Sequence, residues 1–426
     1  MQKHKSVAFH TLGCKLNFSE TATLSRQLES AGFEKKAFDD VADVYVINTC
    51  SVTENADKEC RQIVRRVQRK APKSLVVITG CYAQLKPKEI AEIPGVDLVL
   101  GAAEKFNLAA HLQDLAKGDS AKISSCDIED VSGFNSSYSL HDRTRTFLKV
   151  QDGCDYGCSF CTIPMARGKS RSNSIFNVVR QANELAENGV KEIVLTGVNL
   201  GDFGKGGDGA KKHEENFFEL IQELESKTEV PRYRISSIEP NLLSEDIIKF
   251  VAQSDHFMPH FHIPLQSGSN EILGAMRRRY RRELYTERVK LIKTLMPHCA
   301  IGVDVIVGFP GESDQHFQET FDFLHNLDIS YLHVFTYSER ENTKALELKP
   351  IVPMHVRHER NKILRNLSYK KMRHFTEQHI DQVRPVLFED HQKGGMMEGY
   401  TDNYIRITTP YRSEWANEIV PWKILA

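Results

Sequence analysis

Short apolar runs at 7–11, 44–47, 75–78 and 98–100 are each followed by a segment of helical length, and the same rhythm resumes at 147–151. It continues through 193–196, 233–238, 261–265, 301–307 and 331–337, with helical periodicity near 175–188, 216–226, 244–253, 281–296 and 313–327. Strands separated by helices must run parallel, because a hairpin turn cannot join them. The first four units predict a doubly wound parallel sheet over residues 1–120, with helices near 19–31 and 54–69. The next six predict a partial (β/α)6 barrel over 143–379, ending in a long basic segment at 356–379. Residues 121–142, rich in Ser, Asp and Asn, are expected to be a linker. From 380 to 426 the pattern changes to short alternating runs broken by Gly394, Gly395, Gly399 and Pro410, which predicts a small all-β module of some five strands. The fold class is therefore α/β with an all-β appendage.

Composition narrows the function classes. The 426 residues carry 56 Lys and Arg against 57 Asp and Glu, a formal charge of −1, which excludes a uniformly basic nucleic-acid coat. Hydrophobic residues make up 40% and no run approaches the roughly 18 apolar residues of a membrane span, so no membrane role is expected. The N-terminus lacks a signal-peptide pattern and a cytoplasmic location is the expectation. Nine cysteines, an odd number in a large chain, argue against a disulfide framework and for metal or redox chemistry.

Three of them form the run Cys154-Asp-Tyr-Gly-Cys158-Ser-Phe-Cys161. Thiolates this close converge on one centre and suit iron–sulfur clusters or zinc. A closed zinc site needs a fourth ligand nearby, yet the next His is His213 and the next Cys is Cys299. On a four-iron cubane, three ligands leave one iron open; a redox pair of Cys158 and Cys161 is the plainer alternative. Cys14, Cys50 and Cys81 each follow a predicted parallel strand, about one βα unit apart. Loops at strand C-termini share one sheet edge, where ligands bind, so the three should meet in a second open site. Asn17 and Asn48 flank it. Small cysteines can also simply recur at strand ends. Cys60, Cys126 and Cys299 fall out of phase and read as structural.

Together these features resemble the radical S-adenosylmethionine (SAM) methylthiotransferases over nearly the whole chain. Phe9-His-Thr-Leu-Gly-Cys-Lys-Leu-Asn17 and Cys161-Thr-Ile-Pro-Met-Ala-Arg-Gly-Lys-Ser-Arg171 are most similar to the threonylcarbamoyladenosine-tRNA type. The resemblance implies two 4Fe-4S clusters. One, on Cys154, Cys158 and Cys161, cleaves SAM to a radical that takes hydrogen from adenine C2. The other, on Cys14, Cys50 and Cys81, carries the sulfur, which a second SAM methylates. It places SAM against Phe160, Thr196, Gly197, Ser236, Gln266 and Ser267, and makes the tail an RNA-binding TRAM-like domain. It also implies a tRNA substrate modified at position 37, a reducing partner of flavodoxin or ferredoxin type, and a monomer. Isopentenyladenosine tRNA, a ribosomal-protein aspartate, or a non-catalytic RNA-binding iron–sulfur sensor are the alternatives.

Three basic stretches are candidate RNA contacts: six cations and no acid over 61–73, five arginines around Tyr280 over 277–282, and seven cations with one Glu over 357–373. An anionic threonylcarbamoyl group needs cations in its pocket, for which Arg167, Arg171, Arg277 and Arg279 are the candidates. The tail from 383 onward, with five Lys and Arg against six Asp and Glu, would bind RNA by stacking or backbone contacts. Because all six cluster cysteines precede it, its removal is expected to weaken tRNA binding and spare SAM cleavage.

Overall fold

The computed structural model describes residues 5–51, 54–113, 115–118, 120–140, 144–205 and 215–425. His213, invoked above, lies outside them. Its N-terminal body is a six-stranded sheet, parallel throughout, in the order Glu34–Lys36, Ser6–Thr11, Val44–Thr49, Leu75–Gly80, Leu98–Leu100, Lys122–Ser124. Val44–Thr49 and Leu75–Gly80 are buried along their full length because helices cover both faces. Leu24 and Leu28 of the helix Lys15–Ser30 pack with Val44, Val46 and Val77 on one side. Ile63, Val64 and Val67 of the helix Glu54–Lys70 pack with Tyr45, Ile47 and Ile78 on the other.

Four strands were expected and six are present. Glu34–Lys36 and Lys122–Ser124 are three-residue polar edge strands, without the apolar run that marks a buried one. The second lies inside the segment expected to be a linker. Further along that segment, Ser137–Tyr138 pairs antiparallel with Arg145–Lys149, and the Ser137 and Ser19 hydroxyls are 3.0 Å apart. Residues 121–140 thus mortar the two bodies together instead of spacing them.

The barrel strands run in chain order: Arg145–Lys149, Glu192–Thr196, Arg232–Ile235, His260–His262, Ala300–Val307, Tyr331–Thr336. Continuous parallel pairing joins the first three and the last three, while the bridges Tyr233–Phe257 and Ser237–His262 link the halves. Leu148, Ile193, Leu195, Ile235, Phe261, Ile301 and Val303 face the helices and form the core. The alternate positions are polar and bond across the lumen side: Arg234 Nε to Glu192 at 3.0 Å, His262 to Asp304 at 2.8 Å, His260 to Tyr331 at 2.7 Å.

The tail is an antiparallel sheet in the order Arg406–Pro410, Met396–Thr401, Val383–Phe388, Ile419–Lys423, four strands where some five were expected. It seals the N-terminal end of the barrel. Tyr404 stacks on His260 at 4.4 Å, Arg145 lies 4.4 Å over Tyr400, and Arg232 and Arg234 donate to the carbonyls of Pro385 and Asp402 at 2.8 and 3.1 Å. The long helix, Met354–Glu377, uses two of its cations internally, Arg357 on Glu339 and Arg360 on Glu312. Neither contributes to a basic outer face.

Candidate active site

Cys14 caps the helix Lys15–Ser30, Cys50 follows the strand Val44–Thr49, and Cys81 opens the short helix Cys81–Leu85. The expected helix began near residue 19; the real one starts at Lys15, one turn earlier, with Cys14 as its N-cap. Gly13 and Gly80 have φ of +99° and +97°, the left-handed region that glycine enters without strain. At Gly13 a Cβ would stand 2.8 Å from Cys50 Sγ, so only a hydrogen there lets Cys14 and Cys50 converge. Burial pushes the Cys81 thiol up, Arg167 opposes this, and nearby Cys14 adds to it. Cys14 is exposed, and Cys50 and Cys81 are buried.

The barrel triad occupies the loop after Gln151–Asp152, and all three of its thiols are partly exposed. Burial pushes Cys154 up to about 12 and Cys161 up to about 11, each next to the other thiols of the run. Burial disfavours the free thiolates of Cys154 and Cys161, and iron ligation would displace their protons. Among the described residues no three His, Cys, Asp or Glu side chains gather tightly enough for a single metal ion.

The two triads adjoin. Thr162, next to Cys161, donates to the carbonyl of Ser51, next to Cys50, at 3.4 Å. Behind them lies a buried ionic lock. Glu20 accepts from Arg167 at 3.0 Å, Lys149 at 3.1 Å and Lys105 at 2.7 Å, while Arg167 also reaches Asp152 at 3.0 Å and Asn17 Oδ1 at 2.6 Å. Three cations hold the carboxyls of Glu20 and Asp152 well below the usual range despite burial. This corrects two expected substrate contacts. Arg167 is consumed by the lock beside Cys81 and Cys14, and Arg171 is spent on the Arg167 carbonyl at 2.7 Å; neither can meet RNA. Asn17 and Asn48 also shape the backbone here, donating to the Leu12 and Asn17 carbonyls at 2.8 and 3.0 Å.

Around the barrel triad, Arg277 and Arg279 are exposed, the latter 3.9 Å over the Tyr156 ring. The arginine between them was not singled out from the sequence and is the buried one. Arg278 donates to Cys158 Sγ at 3.1 Å and to Tyr280 at 3.1 Å, and pairs with Glu239. The left-handed turn at Arg277 reverses which arginines face inward, a signal invisible to run-counting.

The expected SAM contacts divide. Thr196 Oγ1 and both amide atoms of Asn199 are buried without hydrogen-bond partners at the end of the strand Glu192–Thr196, as a polar ligand site would leave them. A Cβ on Gly197 would stand 2.8 Å from Gln151 Oε1, so the backbone turns tightly there. Ser236 is buried at the next strand end, Gln266 holds a φ of +70° at the following one, and Phe160 sits edge-on to Phe309 at 6.3 Å. The Ser267 hydroxyl lies 3.2 Å from Thr320 Oγ1 and accepts from the Ser269 amide at 3.2 Å, which holds the turn at the strand end.

The family model described as Uncharacterized protein family UPF0004 matches residues 6–101, and that of the Radical SAM superfamily matches 148–324. The chain is 39% identical to the threonylcarbamoyladenosine tRNA methylthiotransferase MtaB of Bacillus subtilis, over 99% of this chain and 94% of that one. It is 41% identical to the Aquifex aeolicus protein of that name, over 94% and 96%. Identity to the tRNA-2-methylthio-N(6)-dimethylallyladenosine synthase of Methylacidiphilum infernorum is 31%, over 99% and 92%. In fold, it is similar to the radical SAM methyltransferase TsrM of Kitasatospora setae, with a TM-score of 0.55 at 16% identity over 78% of this chain and 73% of that one. The chain belongs to the radical SAM tRNA methylthiotransferase family, and within it resembles the threonylcarbamoyladenosine type most strongly.

Proposed function

We infer that the protein adds a methylthio group to C2 of N6-threonylcarbamoyladenosine at position 37 of tRNA. Its cofactors are SAM and 4Fe-4S clusters, for which Cys154, Cys158 and Cys161 form one ligand set and Cys14, Cys50 and Cys81 the other. Bound there, they supply the radical that removes an unactivated hydrogen and the sulfur that replaces it, chemistry beyond any side chain. The chain's own groups position and shield. Thr196 and Asn199 offer unsatisfied polar atoms to SAM, and Arg278 compensates thiolate charge at Cys158. The Glu20–Arg167 lock holds the two cysteine sets in register, and Tyr404 closes the far end of the barrel, which limits water access to a reactive centre. A reducing electron-transfer protein of flavodoxin or ferredoxin type supplies the electron. The tail and the exposed cations Arg277 and Arg279 are proposed to meet the tRNA.

The observation that carries this reading is the hydrogen bond from Thr162 to Ser51, which brings together loops bearing one cysteine of each set. Two open clusters side by side are what sulfur insertion at an unactivated carbon requires, and an RNA-binding sensor has no need of them. Nucleoside analysis of tRNA from a deletion strain tests it. Loss of the 2-methylthio form of threonylcarbamoyladenosine alone is expected; loss of the dimethylallyladenosine form instead would overturn the substrate assignment.

A further inference from the structure

Lys15 is the first residue of the helix Lys15–Ser30, directly after Cys14. A helix N-terminus carries partial positive charge and favours anions, so a lysine there is electrostatically misplaced. No acidic residue in that first turn offsets it. Lys15 keeps accessible surface although protein encloses it, so it faces the internal chamber between the two bodies and not the outer surface. Across that chamber Arg145, Arg234 and Asp304 are the charged groups that act on it most strongly, and His333 and His262 line the same wall. Each of those charged groups has its own partner: Arg145 pairs with Glu389 at 3.0 Å, Arg234 with Glu192 at 3.0 Å, and Asp304 with His262 at 2.8 Å. Glu20, one turn along the helix from Lys15, is taken by Arg167, Lys105 and Lys149. The Lys15 ammonium makes no hydrogen bond or ion pair among the described residues, and two guanidiniums repel it. It lacks an anionic partner of its own.

We propose that Lys15 is a specificity-determining residue whose ammonium binds the carboxylate of the amino acid attached at adenine N6. This rests on the tRNA reading above and names the recognition element of that site. The chemistry of the base places the contact. C2 and C6 flank the same ring nitrogen, so a substituent on N6 hangs beside the carbon that receives sulfur. Cys14 belongs to the sulfur-bearing set, and its neighbour Lys15, on a flexible four-carbon stem, is within reach of that substituent. A carboxylate there supplies the missing anion. A neutral isoprenoid substituent leaves the cation without a partner, which gives discrimination against it.

The test uses the holoenzyme with both clusters reconstituted, and anticodon stem-loops bearing either threonylcarbamoyladenosine or its carboxylate methyl ester. Wild type should favour the acid over the ester in kcat/KM by about tenfold to a hundredfold, the scale of a hydrogen bond to a charged group. Lys15→Gln, at matched iron content, should raise KM for the acid by a similar factor with little change in kcat, and should abolish the acid–ester preference. Lys15→Arg, which keeps the charge, should retain that preference. Lys15→Met replaces the Gln variant if the latter loads less iron. Equal turnover of acid and ester by wild type, or an undiminished preference in the neutral variants, would overturn the assignment of Lys15. Wild type that modifies neither stem-loop but accepts one bearing dimethylallyladenosine would instead overturn the functional reading itself.

Discussion

The two cysteine sets differ in how they are assembled. Cys154, Cys158 and Cys161 share one loop after a single strand, so local chain geometry brings them together. Cys14, Cys50 and Cys81 come from three loops that meet only when the parallel sheet has formed and Gly13 has let Cys50 approach. The first set is robust to damage elsewhere, while the second inherits the stability of the whole N-terminal body. Between them stands a lock of buried charge, so relative placement of the two sites is a tertiary property that neither loop holds alone.

The largest expected effect separates the sets by function. Cys154, Cys158 and Cys161 changed together to Ala should reduce 5′-deoxyadenosine formation to background. The corresponding change at Cys14, Cys50 and Cys81 should retain SAM cleavage yet yield no methylthiolated tRNA. Anaerobic assays of 5′-deoxyadenosine, S-adenosylhomocysteine and modified tRNA read both. A folded N-terminal variant, with its barrel iron intact, that made no 5′-deoxyadenosine would erase the distinction.

Next comes the lock. Glu20→Gln leaves Arg167, Lys105 and Lys149 without their shared carboxylate, and removing one partner of a buried ion pair costs about 3–5 kcal/mol. Denaturant unfolding should show that loss, and methylthio transfer should fall further than SAM cleavage because register, not radical formation, is disturbed. A change under about 1 kcal/mol, the scale of a surface pair, would mean that the lock is dispensable.

The tail behaves differently from its sequence-based expectation. Removing residues from 383 onward strips Tyr404 from His260 and leaves the Arg232 and Arg234 guanidiniums without the Pro385 and Asp402 carbonyls. SAM cleavage should therefore drop along with tRNA binding. Tyr404→Ala alone should cost about 2 kcal/mol through lost stacking and cation–π contact. Full SAM cleavage in the truncated chain would restore the tail as a separable module.

Acid acts on this end of the barrel before it reaches the lock. Burial and the neighbouring Arg234 hold His260 well below its ordinary value, so it stays neutral in the fold. Because its folded value is depressed, the unfolded chain binds the proton first. Its contribution is complete above about pH 6.5 and fades as pH falls, by at most about 1.4 kcal/mol per pH unit. Glu20 and Asp152, also depressed, lose their contributions only below about pH 4.3 and pH 3.9 respectively. Thermal melts from pH 7.5 to 5 should flatten in His260→Gln; an unchanged slope would assign it to other groups.

The smallest effect is expected at the remaining cysteines. Cys60 and Cys299 are buried, with thiols pushed up to about 12, and Cys126 is exposed, its carbonyl accepting from Gln84 of the helix Cys81–Leu85 at 3.0 Å. Changing all three to Ala should leave iron at about eight per chain, the content of two four-iron clusters. A large drop would mean that a ligand has been misassigned.

Much of this was readable in advance because its signals are short-range. Apolar period gave the parallel strands, and cysteine phase against those strands pointed to one sheet edge. What escaped had weak local signals: the polar edge strands Glu34–Lys36 and Lys122–Ser124, and the helix turn starting at Lys15. The arginines show why most sharply. In the sequence Arg167, Arg171, Arg277, Arg278 and Arg279 are alike, since each is a cation near a motif. In the fold, the first two are locked against carboxylates and carbonyls, Arg278 bonds a cluster cysteine, and Arg277 and Arg279 remain exposed.

The sequence by itself determined the fold class, the family and which thiols are candidate cluster ligands, because strand period and cysteine spacing are properties of neighbours along the chain. Tertiary structure alone decided which charges are spent and which are free. Whether a cation meets a carboxylate depends on partners far away in the chain, such as Glu20 for Arg167 and Glu192 for Arg234. By that same accounting over distance, Lys15 is left without a hydrogen-bond or ion-pair partner among the described residues, while Arg145, Arg234 and Asp304 each meet one.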